Sequence, residues 1–390
     1  MEEMINRLCP NGVERERLDS LLDYEQPTRY IVNSTEYDSK YSIPVLTAGQ
    51  SFILGYTNED DGIYKASPQN PTIIFDDFTT GFHWVDFDFK VKSSAMKMLK
   101  LKESKKENDF RYIYMAMKTI DYIPTNHTRH WISIYSKFEI PLPPPTIQRE
   151  IVSVLDSFTT LIDRMKHEVE LRKKQMEYYC DKLYGGDFEG MMGLANTPGI
   201  SVVQFSDLGS ITRGRRFVRD DVRESGQPCI HYGDMYTYYG TKCDKTKTYI
   251  DKDFPKKMSY AQKGDIVIVG AGENDYDIGV GLVWMGDEPV AVHDACYILK
   301  HKQNPMYISY YLRSNIYHQQ LKSYVSSGKI CSFSKEGLGK IYIPIQSEEK
   351  QRSIVSTLDA FEQYISKLER LITLRVKQYA YYREKLLTFE

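Results

Sequence analysis

The chain has 390 residues, 41% hydrophobic and 27% charged, with a mean hydropathy of −0.48. That is enough for two or three domains, each with its own core. The formal net charge of −2 excludes a binder that works by global basicity. No apolar run approaches the length of a membrane span.

In chain order, residues 1–139 read as a first globular region. It opens with the apolar-polar segment Leu18-Asp19-Ser20-Leu21 and continues with the proline-led stretch Ile43-Pro44-Val45-Leu46. Pro71-Thr72-Ile73-Ile74-Phe75 reads as a buried strand, and Tyr112-Ile113-Tyr114-Met115 as helix. Residues 140–189 hold a long helix and a linker. Pro143, Pro144 and Pro145 force the helix to begin after them. Its apolar positions, Ile151, Leu155, Phe158, Ile162, Met165, Val169, Met176, Tyr179 and Leu183, step by four and three with one break at Arg172. That spacing keeps a single stripe on a partner helix. Gly185 to Gly199, rich in glycine and small residues, reads as a linker.

Residues 190–340 form a second globular region of the same kind. Leu208-Gly209-Ser210-Ile211, Gln227-Pro228-Cys229-Ile230, the strand Gly264–Val269 and the tyrosine segment Tyr307-Ile308-Ser309-Tyr310 repeat the order of the first. Residues 341–390 close the chain with a second long helix. The segment Ile140–Leu183 aligns without a gap to Ile343–Leu386, an offset of 203, with 19 of 44 positions identical. The second stripe, Ile354, Leu358, Phe361, Ile365, Leu368, Ile372, Tyr379, Tyr382 and Leu386, breaks at Arg375, the equivalent of Arg172. Neither helix buries its stripe alone, so the two are expected to pack on each other. A parallel pair would bring Arg172 and Arg375 together in an apolar seam, at a cost in repulsion and desolvation. Full antiparallel overlap, with paired numbers summing to 537, sets Ile151 against Leu386 and Arg172 near Ile365. The fold class is thus α+β, two mixed α/β domains and two long helices.

Several chemical signatures are absent. The six cysteines have no C-x-x-C spacing, which argues for a reducing, cytoplasmic location without zinc or disulfides. The acidic start is no secretory signal. Ile266 to Gly272 imitates a dinucleotide-binding turn, but Asp275 replaces the third glycine and Glu273 and Asp277 would repel phosphate. Glu103 and Lys105, with Asp86 and Asp88, loosely match a metal-dependent nuclease, yet they sit in a run of solvated charge. His127 and His130 lack further ligands at metal spacing. No Asn/Asp-Pro-Pro-Tyr/Phe tetrapeptide of the amino-methyltransferases occurs. We therefore expect no catalytic residue, metal or cofactor. The rivals are a stand-alone Mg²⁺-dependent nuclease and a structural coiled-coil adaptor.

The plan resembles the specificity subunit of Type I restriction–modification systems over essentially the whole chain. The motifs that carry the likeness are Leu8-Cys9-Pro10-Asn11-Gly12-Val13, Ile-Pro ahead of a helix opening in Gln-x-x-Ile, and Tyr381-Tyr382-Arg383-Glu384-Lys385-Leu386-Leu387. Ile147 and Lys350 stand where that family commonly has Glu. The resemblance implies that residues 1–139 and 190–340 are target recognition domains reading the halves of a split double-stranded DNA site. It also implies that the helices form an antiparallel coiled coil and dock two methyltransferase subunits, with restriction subunits joining through the complex. Docking or coiled-coil candidates are Gln148, Arg149, Arg172, Tyr179, Gln351, Arg352, Arg375 and Tyr382. The DNA candidates in the first domain are Thr47, Gln50, Thr79, Thr80, His83, Asn126 and Arg129, polar side chains able to read base edges. In the second they are Asn274, Tyr276, Lys329 and the basic cluster Arg213, Arg215 and Arg216. Residues 201–340 carry 19 basic and 16 acidic residues (+3), and residues 1–139 carry 17 and 21 (−4), so affinity is expected to lean on the second domain.

Overall fold

The computed structural model describes residues 2–389 except 50, 126–127, 255–256, 274–277, 327 and 329. It divides into two compact units, residues 1–164 with 372–390, and residues 165–371. Each unit takes one globular domain together with half of each long helix. The helices span Pro145–Leu183 and Glu348–Thr388, as the proline run and the heptad spacing require.

In the first unit, Thr72–Asp76 is a central strand between Met96–Leu101 and Phe82–Val85, and Leu22–Glu25 flanks Met96–Leu101 at the edge; all these pairs are antiparallel. Ile73 and Phe75 face the helix Phe110–Met117 and the long helices, while Ile74 faces the other way. That second face covers a three-stranded sheet of Ile53–Thr57, Ile43–Leu46 and Lys90–Val91, the last pair parallel. A strand covered on both sides reads as a continuous apolar run, hence Ile-Ile-Phe. Each such fully buried side chain contributes about 1.5–3 kcal/mol.

The second unit repeats the plan. Ile266–Val269 is central between Cys296–His301 and Gly281–Trp284, Gly209–Arg213 lies at the edge beyond Cys296–His301, and Lys242–Cys243 adds a fifth strand. Gln227–Ile230 pairs in parallel with Val290–Val292, as Ile43–Leu46 does with Lys90–Val91. Asp109 and Asn304 cap equivalent helices, Phe110–Met117 and Pro305–Tyr311, each accepting two backbone N–H bonds. Tyr112 and Tyr307 donate to the carbonyls of Pro141 and Pro344, which are 203 residues apart.

Within each unit the long helices are antiparallel. Ile151 and Leu155 share a core with Leu386 and Leu387, and Phe158 stacks on Tyr382 with centroids 5.6 Å apart. In the other unit Tyr179 stacks on Phe361 at the same 5.6 Å, and Lys173 pairs with Glu369 at 2.7 Å. The two ring pairs sum to 540, three more than full overlap predicts, so the seam is displaced by about one helical turn. Arg172 lies over Tyr364, beside the Ile365 expected there.

The stretch read as a linker is instead structured. Asp187 caps a short helix, Phe188–Gly193, which seats the fully buried Met191 in the core of the second unit. Its glycines serve the turns around it: Gly185, Gly186 and Gly199 all have positive φ. No helix among the described residues is long and apolar enough to cross a membrane.

Candidate nucleic-acid interface

In the first domain three loops converge at one end of the sheets. The turn after Thr72–Asp76 is held by Asp76, whose carboxylate accepts the N–H groups of Phe78 and Thr79 at 2.8 and 2.9 Å. At its tip Thr80 has φ +57°. Gly81 follows because a Cβ there would stand 2.4 Å from the Ala48 carbonyl oxygen, so the loop of Thr47 touches the loop of Thr79. His83 reinforces that contact, its Nε2 lying 3.2 Å from the Gly49 carbonyl. The loop of Arg129 is tied in through Asp77, which accepts His130 N–H on its carbonyl and Trp131 N–H on its carboxylate, both at 2.8 Å. Lys97 neutralises that carboxylate at 3.1 Å, and both side chains are almost completely buried (1% and 2% exposed). A buried carboxylate in this setting requires such a partner.

Of the sequence candidates, Thr79 and Arg129 are exposed, Thr47 and His83 half-buried. Thr80 is not available: it is buried and its hydroxyl donates to the Thr79 carbonyl. Its contribution is the left-handed turn. Gln50 and Asn126 lie outside the described residues.

The second domain builds the same end of its sheets from different side chains. Gly270 takes the place of Asp77, donating to Ala295 as Asp77 donates to Ala95 and accepting from Phe333 as Asp77 accepts from His130. Tyr297 takes the place of Lys97 and donates to the Phe333 carbonyl at 2.9 Å. Residues 270–280 therefore correspond to the Thr79 turn, and the loop before Ser332 to the Arg129 loop. Asn274, Tyr276 and Lys329 fall on those two connections but lie outside the described residues. Ile266–Val269 leads not into a helix but into Ala271–Gly272, paired with Cys331–Ser332, so the glycine turn is not a pyrophosphate cradle. Arg213, Arg215 and Arg216 are exposed. Arg213 donates through Nε to the Asp294 carbonyl at 2.7 Å, and Arg215 N–H bonds the Val292 carbonyl. Gly214 is needed because a Cβ would meet the His293 carbonyl at 2.1 Å.

Two residues of this end escaped the sequence reading. His231 holds the position of Thr47, one residue after the strand Gln227–Ile230, and the His293 ring packs against it, tilted, with centroids 4.6 Å apart. Burial lowers both imidazole pKa values, and for His293 the neighbouring His231 lowers it further. The signal available was the offset between the two domain plans, since Gly49 N–H bonds Thr47 as Gly233 N–H bonds His231.

The residues expected to dock partners divide by burial. Gln148 and Gln351 are buried (0% and 2% exposed). Each accepts the N–H of a helix cap, Asp109 or Asn304, and donates to the equivalent carbonyls of Pro143 and Gln346. They join the long helices to their own domains and present nothing to a partner. Tyr179 and Tyr382 are committed to the seam. Arg172 bonds Glu168 and Gln175; Arg375 bonds Gln378 through Nη1, and its Nε is buried without a partner among the described residues. Arg149 and Arg352 are exposed. Also exposed are Leu171 and Tyr178 in one unit, 47% and 60%, and their equivalents Leu374 and Tyr381 in the other, 53% and 58%.

The residues of the rival nuclease are not brought together. Lys105 pairs with Glu16, Glu103 with Lys106, and Asp88 with Lys65.

Residues 10–171 and 199–378 match the family described as Type I restriction modification DNA specificity domain. The chain belongs to this family. It is 35% identical to the Type I restriction enzyme EcoR124I/EcoR124II specificity subunit of Escherichia coli, over 97% of this chain and 95% of that one. It is 26% identical to a putative type I restriction enzyme specificity subunit of Haemophilus influenzae, covering 87% and 86%. Among solved structures, the type I S subunit from M. genitalium superposes with a TM-score of 0.55 at 17% identity, covering 97% of both chains. A chain from a study of the assembly and conformational transition of a type I restriction–modification system gives 0.61 at 16%, covering 97% and 98%. This specificity subunit is the DNA-recognition, non-catalytic component of a system whose other components are methyltransferase and restriction subunits.

Proposed function

We propose that this specificity subunit reads a split double-stranded DNA site, one half with each domain, and carries two methyltransferase subunits to it, with restriction subunits joining through them. The duplication of both surfaces supports this reading. Each domain gathers equivalent loops at the same end of its sheets: those of Thr47, Thr79 and Arg129, with His83, in one, and those of His231, Gly270 and Ser332 in the other, where the Arg213–Arg216 cluster adds a basic segment. In the sequence, Gln50, Asn126, Asn274, Tyr276 and Lys329 lie between residues of these segments. Each unit also exposes a Leu/Tyr pair a heptad apart at equivalent positions, Leu171/Tyr178 and Leu374/Tyr381. Exposed apolar pairs at equivalent helix positions suit two copies of one partner. Arg149 and Arg352, also equivalent and exposed, flank the helix starts. The setting of such a complex is the cytoplasm.

The test is domain exchange. Replacing residues 1–139 by the first domain of another family member should change one half of the methylated sequence and leave the other half intact, read by methylation sequencing of a host expressing the complex. A change in both halves, or in neither, overturns the modular reading. Native mass of the assembled complex should give two methyltransferase subunits per chain, falling to one when Leu171 and Tyr178 are both replaced by Asp.

A further inference from the structure

We infer that His231 is a base-reading residue of the second recognition domain, donating its Nε2–H to a major-groove acceptor of the DNA half-site. The inference rests on the DNA-reading function proposed above. It is carried by the equivalence of the two domains and by the geometry of the ring.

His231 follows the strand Gln227–Ile230, whose pairing with Val290–Val292 matches that of Ile43–Leu46 with Lys90–Val91. Ile230 and Leu46 accept equivalent bonds from His293 and Lys92, at 3.1 and 3.0 Å. His231 therefore stands where the first domain places Thr47, in a loop that touches the Thr79 turn. The ring is aimed from behind. Its Nδ1 accepts Gly233 N–H at 3.2 Å, which fixes the neutral tautomer with its proton on Nε2. The rings of His293, Tyr232 and Phe217 surround it, with centroids 4.6, 4.6 and 6.0 Å away. Its Nε2 has no partner among the described residues and is not among the buried unpaired atoms, so that edge of the half-buried ring is open to solvent. Phe217 belongs to the loop that carries the exposed Arg215 and Arg216, so an open donor sits at the base of the domain's basic cluster. A single oriented N–H donor suits guanine N7 or O6, adenine N7 or thymine O4, and discriminates against the cytosine amino group.

Two substitutions separate reading from local structure. His231→Asn keeps an oxygen for Gly233 N–H, since Asn is a good cap, but loses the reach of Nε2. His231→Gln keeps a donor at that reach and loses the cap. Both are made in the complete methyltransferase complex, and methylation is scored over a library of sites. H231N is expected to relax one position of one half-site by roughly three- to tenfold, the value of one hydrogen bond, with the other half unchanged. H231Q is expected to retain the preference. The opposite order, with H231N unchanged and H231Q impaired, would show that His231 only caps its turn and would overturn the inference. Uniform weakening at every sequence would overturn it as well, making the contact one to phosphate. A split site from the unsubstituted complex, with both variants unchanged, sinks this inference alone; no split site at all sinks the proposed function.

Discussion

Lys97→Met tests whether a buried ion pair holds the candidate loops of the first domain together. Lys97 and Asp77 are 1% and 2% exposed and 3.1 Å apart, and the ammonium also lies 4.7 Å from the centre of the Tyr24 ring. Removing the lysine leaves Asp77 charged and buried, its carboxylate supported among the described residues only by the Trp131 N–H. Breaking such a pair costs about 3–5 kcal/mol. Adding Asp77→Asn removes the stranded charge and keeps an acceptor for Trp131, so the double variant should recover to within about 1–2 kcal/mol of the native protein. Denaturant unfolding followed by tryptophan fluorescence is the assay, because Trp131 lies beside the pair and Trp84 in the same unit, while Trp284 reports the other. The transition of the second unit should not move. A cost below about 1 kcal/mol for Lys97→Met, or a double variant no better than the single, would refute the argument that the pair clamps these loops.

Other outcomes follow from the same geometry. Gln148→Ala strands the Asp109 N–H and should destabilise the first unit by about 2–4 kcal/mol, and Gln351→Ala should do the same to the second, each seen as a shift in one unfolding transition only. A double-mutant cycle on Phe158 and Tyr382, and another on Tyr179 and Phe361, should give equal couplings of about 0.5–1.5 kcal/mol; a cycle on Ile151 and Tyr382 should give little. The imidazoles of His231, His293, His301 and His318 are all lowered, chiefly by burial. A histidine harder to protonate in the folded state loses stability as pH falls below its unfolded value of about 6.5, at up to ~1.4 kcal/mol per pH unit for each ring. Urea midpoints should therefore fall for the second unit from pH 7 to 5.5, and a flat profile would contradict the burial of these rings. Finally, Arg215→Ala should lower the salt slope of DNA binding by about 1 if the side chain meets a phosphate.

Much of the architecture is a local property of the chain and so is legible in it. The 203-residue offset, the four-and-three spacing, the proline run before Pro145 and the apolar strands at 72–76 and 266–269 each depend on neighbours within a few residues. Repeated flanking helices were enough to imply two domains of one plan. Register was not legible, because heptads differ little in apolar content and a shift of one turn still faces stripe to stripe; only the ring stacks, summing to 540, decided it. The short helix at Phe188–Gly193 was missed because Met191 gains its stability from a core assembled elsewhere in the sequence. Burial decided the roles of Gln148, Gln351 and Thr80, which in the sequence look like any exposed polar residue. The convergence of Thr47, Thr79 and Arg129, and the substitution of His231 for Thr47 in the second domain, follow from parallel and antiparallel strand pairings between residues tens of positions apart. Such pairings are set by which faces each sheet must cover, and that becomes defined only when the whole unit packs.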